Sequence, residues 1–252
     1  MVIFGIDIRV YFLLFMLYSF IGWCMEVTGK LIQYKRFINR GFLVGPYCPI
    51  YGTGAILITF LLNRYTNDPF VLFIMAILVC GTLEYLTSYF MEKIYHARWW
   101  DYSSKKFNIN GRICLSNLIA FGILGMFIMY ISNPFLIGQL EKLPSLWLNI
   151  IFWSVLSIFV IDNIVSGIIN NSIKTTTKQL GEKMDNTEEI TKKVREILQK
   201  KSALHRRLIN AYPKIQAVKF KIKEKTRKIK EQIEEQKEDI KDKIDEFKLD
   251  KK

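Results

Sequence analysis

Residues 39–55, Asn39-Arg40-Gly41-Phe42-Leu43-Val44-Gly45-Pro46-Tyr47-Cys48-Pro49-Ile50-Tyr51-Gly52-Thr53-Gly54-Ala55, decide how the rest of the chain is read. Four glycines and two prolines in seventeen residues rule out one regular helix, because proline disfavours helix in the residue before it and glycine favours turns and close backbone approach. Yet the stretch runs straight into an apolar segment, so part of it sits at membrane depth. Non-helical backbone is tolerated there only when it is buried in protein or lines a wet cavity. Gly41, Gly45, Pro46, Pro49, Tyr51 and Gly52 are therefore candidates for a gate or binding loop.

Working outward, five apolar runs are candidate spans: Val10–Met25, Pro49–Leu62, Phe70–Met91, Ile113–Ser132 and Leu146–Ile169. A bilayer core of about 30 Å needs about 20 helical residues. The last three runs meet this length, and the first meets it by reaching Val27. The second has fourteen clean residues and reaches full length only by drawing in Gly45–Cys48. The expected fold class is all-α: a polytopic membrane protein of about five transmembrane helices, with the Gly/Pro-rich segment on the cytoplasmic side or re-entrant.

Charge orients this layout. The loop after the first run holds Lys30, Lys35, Arg36 and Arg40; that after the third holds Lys93, Arg98, Lys105, Lys106 and Arg112. The other three segments hold only Arg9, Arg64 and Lys142. The positive-inside rule makes the basic loops and the tail cytoplasmic and the N-terminus external, in the cell membrane. A re-entrant second run would put the two basic loops on opposite faces, against the charges.

The chain divides at about residue 173. Residues 1–173 carry 12 Lys+Arg against 8 Asp+Glu, and 174–252 carry 24 against 15, so most of the net +13 belongs to the tail. Such a tail points first to an anionic lipid surface. Thr175-Thr176-Thr177 and Gly181 read as a short hinge. Asp185-Asn186-Thr187-Glu188-Glu189 reads as a helix start, with the helix running to about Asn210. Pro213 ends it, and a second helix is expected from Lys214 to about Lys248. Val218, Ile229 and Ile240 recur every eleven residues, as do Ile222, Ile233 and Ile244, which gives a thin, nearly straight apolar stripe. A solvated charged helix, a membrane-surface helix and a coiled coil all fit that stripe. Nucleic-acid binding ranks last, since the helices offer no aromatic platform.

Small and polar residues form stripes at helical spacing: Ser19, Gly22, Glu26 and Gly29 in the first run; Gly81, Glu84, Ser88 and Glu92 in the third; Asp162, Ser166 and Asn170 in the fifth. Close helix–helix packing accounts for the small ones. It does not account for Glu84, which lies within an apolar run; an intramembrane ionisable residue is a functional candidate by default. Glu26 and Asp162 lie nearer the ends, where water reaches. A second polar cluster, Arg98 to Leu115 (RWWDYSSKKFNINGRICL), contributes Asp101, Asn108 and Arg112, and Asn108-Ile109-Asn110-Gly111 reads as a turn. Trp99, Trp100 and Tyr102 read as interfacial aromatics. Arg40 and Arg112 have Glu26, Glu84, Glu92 and Asp101 as available partners.

Motif chemistry is absent from these residues. No phosphate-binding loop, nucleophile elbow or zinc-protease motif occurs. His96 and His205 are far apart, so no metal site is expected. The cysteines Cys24, Cys48, Cys80 and Cys114 sit in or beside apolar runs and read as buried thiols. No cofactor is expected, no catalytic residue is assigned, and no cleavable leader is evident.

The membrane domain resembles the CmpB-type family of ABC-transporter permeases, found widely in Firmicutes. The resemblance rests on Ser19-Phe20-x-Gly22-Trp23-x-x-Glu26, on Asn39-Arg40-Gly41-Phe42-Leu43-x-Gly45-Pro46-x-x-Pro49-Ile50-Tyr51-Gly52, on Glu84-Tyr85 and Glu92, and on Trp100-Asp101-Tyr102-Ser103 with Phe107-Asn108-x-x-Gly111-Arg112-Ile113. These cover about residues 20–131; the basic tail is outside the pattern. The resemblance implies a permease component moving an unidentified substrate, a separate cytoplasmic ATPase subunit and, with so few spans, a homodimer. The leading expectation is that Glu26, Arg40, Glu84 and Arg112 line a polar cavity. Two other readings stand: a membrane-embedded enzyme acting on a lipid or other amphiphile, with Glu84, Glu92, His96 or Asp101 as acid–base groups, and a membrane-anchored interaction protein working through its tail.

Overall fold

The computed structural model describes residues 2–218 except 182, 183, 185 and 214. The chain is an all-α polytopic membrane protein. Among the described residues, four helices are long and apolar enough to cross a membrane: Ile8–Tyr34, Pro69–Tyr95, Leu115–Glu141 and Ser145–Gly181. We call the first α1 and the second α3. The third joins α4 (Leu115–Phe127) to α5 (Asn133–Glu141) through a π turn at Ile128–Ser132, and the fourth is α6. The π turn has a local cause. Pro134 inside a continuous helix removes one backbone donor and crowds the preceding turn, and a wider turn relieves both. Asn133 then accepts from the Tyr18 hydroxyl at 2.7 Å and donates to Thr59 Oγ1 at 2.8 Å, tying the kink to α1 and to the Pro49–Leu62 helix.

The second run is α2, Pro49–Leu62, with the bounds expected from sequence. At fourteen residues it rises only about 21 Å, short of a bilayer core. Gly45–Cys48 do not lengthen it: they are non-helical, Cys48 is the N-cap and Pro49 opens the helix. The correction to five full spans is therefore four long helices plus one short one preceded by irregular backbone. α2 lies along α1, with Gly52 against Ser19 and Phe15 at one end and Phe60 against Tyr11 at the other. A side chain on Gly52 would meet the Phe15 carbonyl at 2.3 Å, so the close approach requires glycine. The loops before α2 and after α3 meet at one end of the bundle, where the Phe42 ring lies 5.1 Å from that of Trp99. The first core lies among α1, α2 and the start of α6, around Leu14, Ala55 and Leu148. The second lies among α2, α3 and the α4–α5 helix, around Ile58, Leu72 and Met129.

At the loop end the tail builds a third core. Residues 1–217 form one compact unit. The hinge expected at Thr175–Thr177 is helix: α6 runs unbroken to Gly181, and Thr175 Oγ1 bonds the Asn171 carbonyl one turn back. α7 is Thr187–Lys201, capped by Asn186, with Glu188 and Glu189 in its first turn. The helix expected to continue to Asn210 breaks at Ser202, whose extended backbone and hydroxyl cap α8, Ala203–Ala211. After Pro213 the chain forms the short strand Gln216–Ala217, not the start of a helix, and pairs with the strand Ala97–Arg98. Ile173, Ile190, Leu198, Leu208 and Trp99 fill the core between them. The eleven-residue stripe falls on residues 219–252, outside the described ones, apart from Val218.

Candidate functional site

The irregular segment before α2 is held by one face of α6. The Val44 amide donates to Ser166 Oγ at 2.9 Å. The Gly45 amide, at 3.1 Å, and the Tyr47 hydroxyl, at 2.6 Å, donate to Asp162 Oδ2. Asn170 Nδ2 donates to the Phe42 carbonyl at 3.4 Å, and the Cys48 amide donates to the Ser19 carbonyl at 2.9 Å. The stripe Asp162, Ser166, Asn170, one residue per helical turn, thus bonds successive positions of a backbone that has no helical partners of its own. That is the internal satisfaction backbone requires away from water. From the other side Arg207 of α8 donates to the carbonyls of Gly41 and Leu43.

Below this segment lies a cavity of about 490 Å³. Glu26 of α1, the loop residues Arg40 to Leu43, Tyr51 of α2, Glu84 of α3 and Tyr102 contribute to its wall, together with Tyr212 from beyond α8. Two of the three charged groups that line it among the described residues are paired. Arg40 Nε bonds Glu26 Oε2 at 3.2 Å, the Tyr51 hydroxyl donates to Glu26 Oε1 at 2.9 Å, and Arg40 Nη1 donates to the Ala211 carbonyl. The Arg40 guanidinium also lies 4.7 Å from the centre of the Tyr212 ring, a cation–π contact.

Glu84 is different. It is 7% exposed, and its Oε1 accepts only from neutral donors, the Tyr102 hydroxyl at 3.3 Å and Asn117 Nδ2 at 3.4 Å. Its Oε2 is buried with no hydrogen-bond partner among the described residues. Burial, and then the Glu84 carboxylate, push the Tyr102 phenol above its usual range, and burial does the same to Tyr212, so both phenols stay protonated.

The other residues expected at the cavity form a network beside it. Arg112 Nη2 pairs with Glu92 Oε2 at 3.0 Å, and Arg112 Nη1 donates to Ser88 Oγ at 3.2 Å. Arg98 Nε reaches the same Glu92 oxygen at 3.0 Å and approaches Asp101 at 3.7 Å. Arg112 therefore serves Glu92 rather than Glu84, and Glu92, Asp101, Asn108 and Arg112 are not in the cavity wall. The Asn-Gly turn sets this. Asn110 and Gly111 have φ of 53° and 66°, the left-handed pair of a tight hairpin between the strands Asn108–Ile109 and Ile113–Cys114. Asn108 Oδ1 accepts the Gly111 amide at 2.9 Å, so its role is local. Of the gate candidates, Gly41, Pro49 and Tyr51 line the cavity; Gly45 bonds Asp162, and Gly52 packs on α1. His96 caps α3 and does not line it. No group of metal-ligating side chains occurs among the described residues.

Sequence reasoning assigned no site role to five contributors. Asn117 and Tyr102 carried no signal beyond ordinary polarity and interfacial position. Tyr212 and Arg207 arrive from about 170 residues away through a tail read as a separate piece. Asp162 was visible only as a stripe.

A family model described as putative ABC-transporter type IV matches residues 13–167, well over half of the chain. The match spans every membrane element and the two loops at the cavity. No curated protein sequence and no solved structure matches the chain.

Proposed function

The chain belongs to the family described as putative ABC-transporter type IV, and from that premise we propose that it is the permease-type membrane component of an ATP-driven transporter, with the cavity beside Glu84 as its substrate site. The observation that carries this reading is the cavity itself: a drug-sized, mostly apolar space among membrane helices, roofed by bonded but irregular backbone and by Tyr212. A short helix that starts inside the bundle, behind irregular backbone, is how membrane transporters expose backbone to a substrate without exposing it to lipid. The Gly41–Cys48 segment acts as the gate, and α6 holds it shut through Asp162 and Ser166.

The loop end faces the cytoplasm in this reading, because it gathers Lys30, Lys35, Arg36, Lys93, Lys105 and Lys106, while the opposite end holds Arg9, Arg64 and Lys142. ATP hydrolysis in this reading comes from a cytoplasmic ATPase that meets the loop end. A second copy of the chain supplies the remaining spans, and the basic tail favours anionic lipid. Of the acid–base groups an enzyme would use, Glu84 lines the cavity, whereas Glu92, His96 and Asp101 lie off its wall, which leaves the enzyme reading a single carboxyl to work with.

Purification of the full chain from its native membrane in a mild detergent tests this reading. The expected result is an associated ATPase subunit whose hydrolysis is vanadate-sensitive and is lost when Arg207→Met frees the loop end. Purification of the intact chain with no ATPase, repeated across detergents and after cross-linking, would refute it.

A further inference from the structure

Resting on that reading of the cavity as a substrate site, we infer that it takes an organic cation with an apolar body, whose charge is set against the Glu84 carboxylate. Among the described residues three charged side chains line the cavity, and two neutralise each other: Arg40 is committed to Glu26, to the Ala211 carbonyl and to the Tyr212 ring. The arginines of the neighbouring loop are committed as well, Arg112 to Glu92 and Ser88, and Arg98 to Glu92 and Asp101. Glu84 is the charge left over. It is more than nine-tenths buried, touches only two neutral donors at long distances, and has a second oxygen with no partner among the described residues. A buried carboxyl without a cationic partner is costly, and it is retained where it meets an ion in function.

The rest of the wall suits the same ligand. Tyr51, Tyr95, Trp100, Tyr102 and Phe121 place aromatic rings around the space, and aromatic faces attract cations and repel anions. An anion would meet Glu84 with no uncommitted positive group among the described lining residues. The volume of about 490 Å³ fits a compact drug-sized molecule.

The test uses the purified full chain in a neutral maltoside detergent, with no ATPase present. Equilibrium dialysis measures binding of tetraphenylphosphonium, and of tetraphenylborate as an anion of the same shape. The expected result is saturable binding of the cation in preference to the anion. Glu84→Gln weakens the cation by about tenfold or more while eluting as a monodisperse protein. Glu141→Gln, which removes an exposed acid at the other end of the bundle, leaves affinity unchanged. Equal binding of the two ions, absence of saturable cation binding, or equal losses in the two variants each overturn the inference. The wild-type comparison decides even if Glu84→Gln does not fold. Cation binding in a chain that never associates with an ATPase would leave the ligand class standing and remove the transporter reading; an ATPase partner without cation preference would do the reverse.

Discussion

Asp162 holds the Gly/Pro segment, and its replacement has a calculable effect. One oxygen, Oδ2, accepts both the Gly45 amide at 3.1 Å and the Tyr47 hydroxyl at 2.6 Å. Hydrogen bonds to a charged group are worth about 1.5–3 kcal/mol each. Asp162→Ala removes both, but water at the membrane edge recovers part of the loss, and Ser166 and Arg207 still hold Val44 and Gly41. A net weakening of about 2 kcal/mol raises the open fraction of the segment about thirtyfold. Asp162→Asn keeps one oxygen for the two donors, and the Ser166 hydroxyl can turn to accept from the new amide, so its effect is under about fivefold. Cys48 is the reporter: it sits at the end of the segment and is 8% exposed. Its maleimide labelling, in a chain whose other three cysteines are alanine, tracks the open population when reclosing is fast. Labelling of Asp162→Ala at the wild-type rate, or equal rates for the Ala and Asn variants, would refute the claim that this carboxylate latches the segment.

Four further substitutions probe the scaffold around the cavity. Gly52→Ala places a methyl 2.3 Å from the Phe15 carbonyl and 2.2 Å from Ser19 Oγ; we expect a loss of about 1–3 kcal/mol, seen as a lowered thermal midpoint in detergent. Gly111→Ala combines a φ of 66° with a contact of 2.3 Å to Asp101 Oδ1, and faster trypsin cleavage at Lys105 and Lys106 is expected, with an unchanged rate refuting it. Tyr18→Phe leaves Asn133 Oδ1 without its donor at the π turn and is expected to cost about 1–3 kcal/mol, also read as thermal midpoint. Arg207→Met unties α8 from Gly41 and Leu43, and we expect tryptic cleavage at Lys200 and Lys201 to accelerate by about tenfold, with no acceleration if α8 docks through its apolar face alone.

Much of the membrane architecture was legible because apolar run length is a strong physical signal. The bounds Pro49–Leu62 could be read directly, since Pro49 opens the helix and the apolar run ends at Asn63. The shortness of that run was legible too; what filled the missing length was not. Backbone that is neither helix nor strand needs partners, and those partners are Asp162, Ser166 and Asn170, more than 115 residues away. Their spacing of four looked the same as a helix-packing stripe, because both uses demand small or polar groups on one face. Arg40 had four carboxylates open to it, Glu26 among them, whereas Glu84 could be anticipated from the cost of burying charge. The Arg112 pairing could not, since the Asn110-Gly111 hairpin decides where Arg112 points, and Glu92 and Glu84 are two turns apart on one helix face. The tail was the least legible part. Thr175–Thr177 resemble a helix-breaking run, yet the Thr175 hydroxyl bonds the preceding turn and α6 continues. Ser202 breaks a helix with neither proline nor glycine to mark it.

The central claim is that this cavity is a substrate site driven by nucleotide turnover. Cys80 lines it and reports on it directly. In native membranes containing the chain with Cys80 as its single cysteine, labelling by a membrane-permeant maleimide is measured with and without ATP and vanadate, and with and without an excess of an apolar organic cation. The account predicts that the cation protects Cys80 and that vanadate trapping changes the labelling rate severalfold. An identical rate under all four conditions, in folded protein, would contradict it.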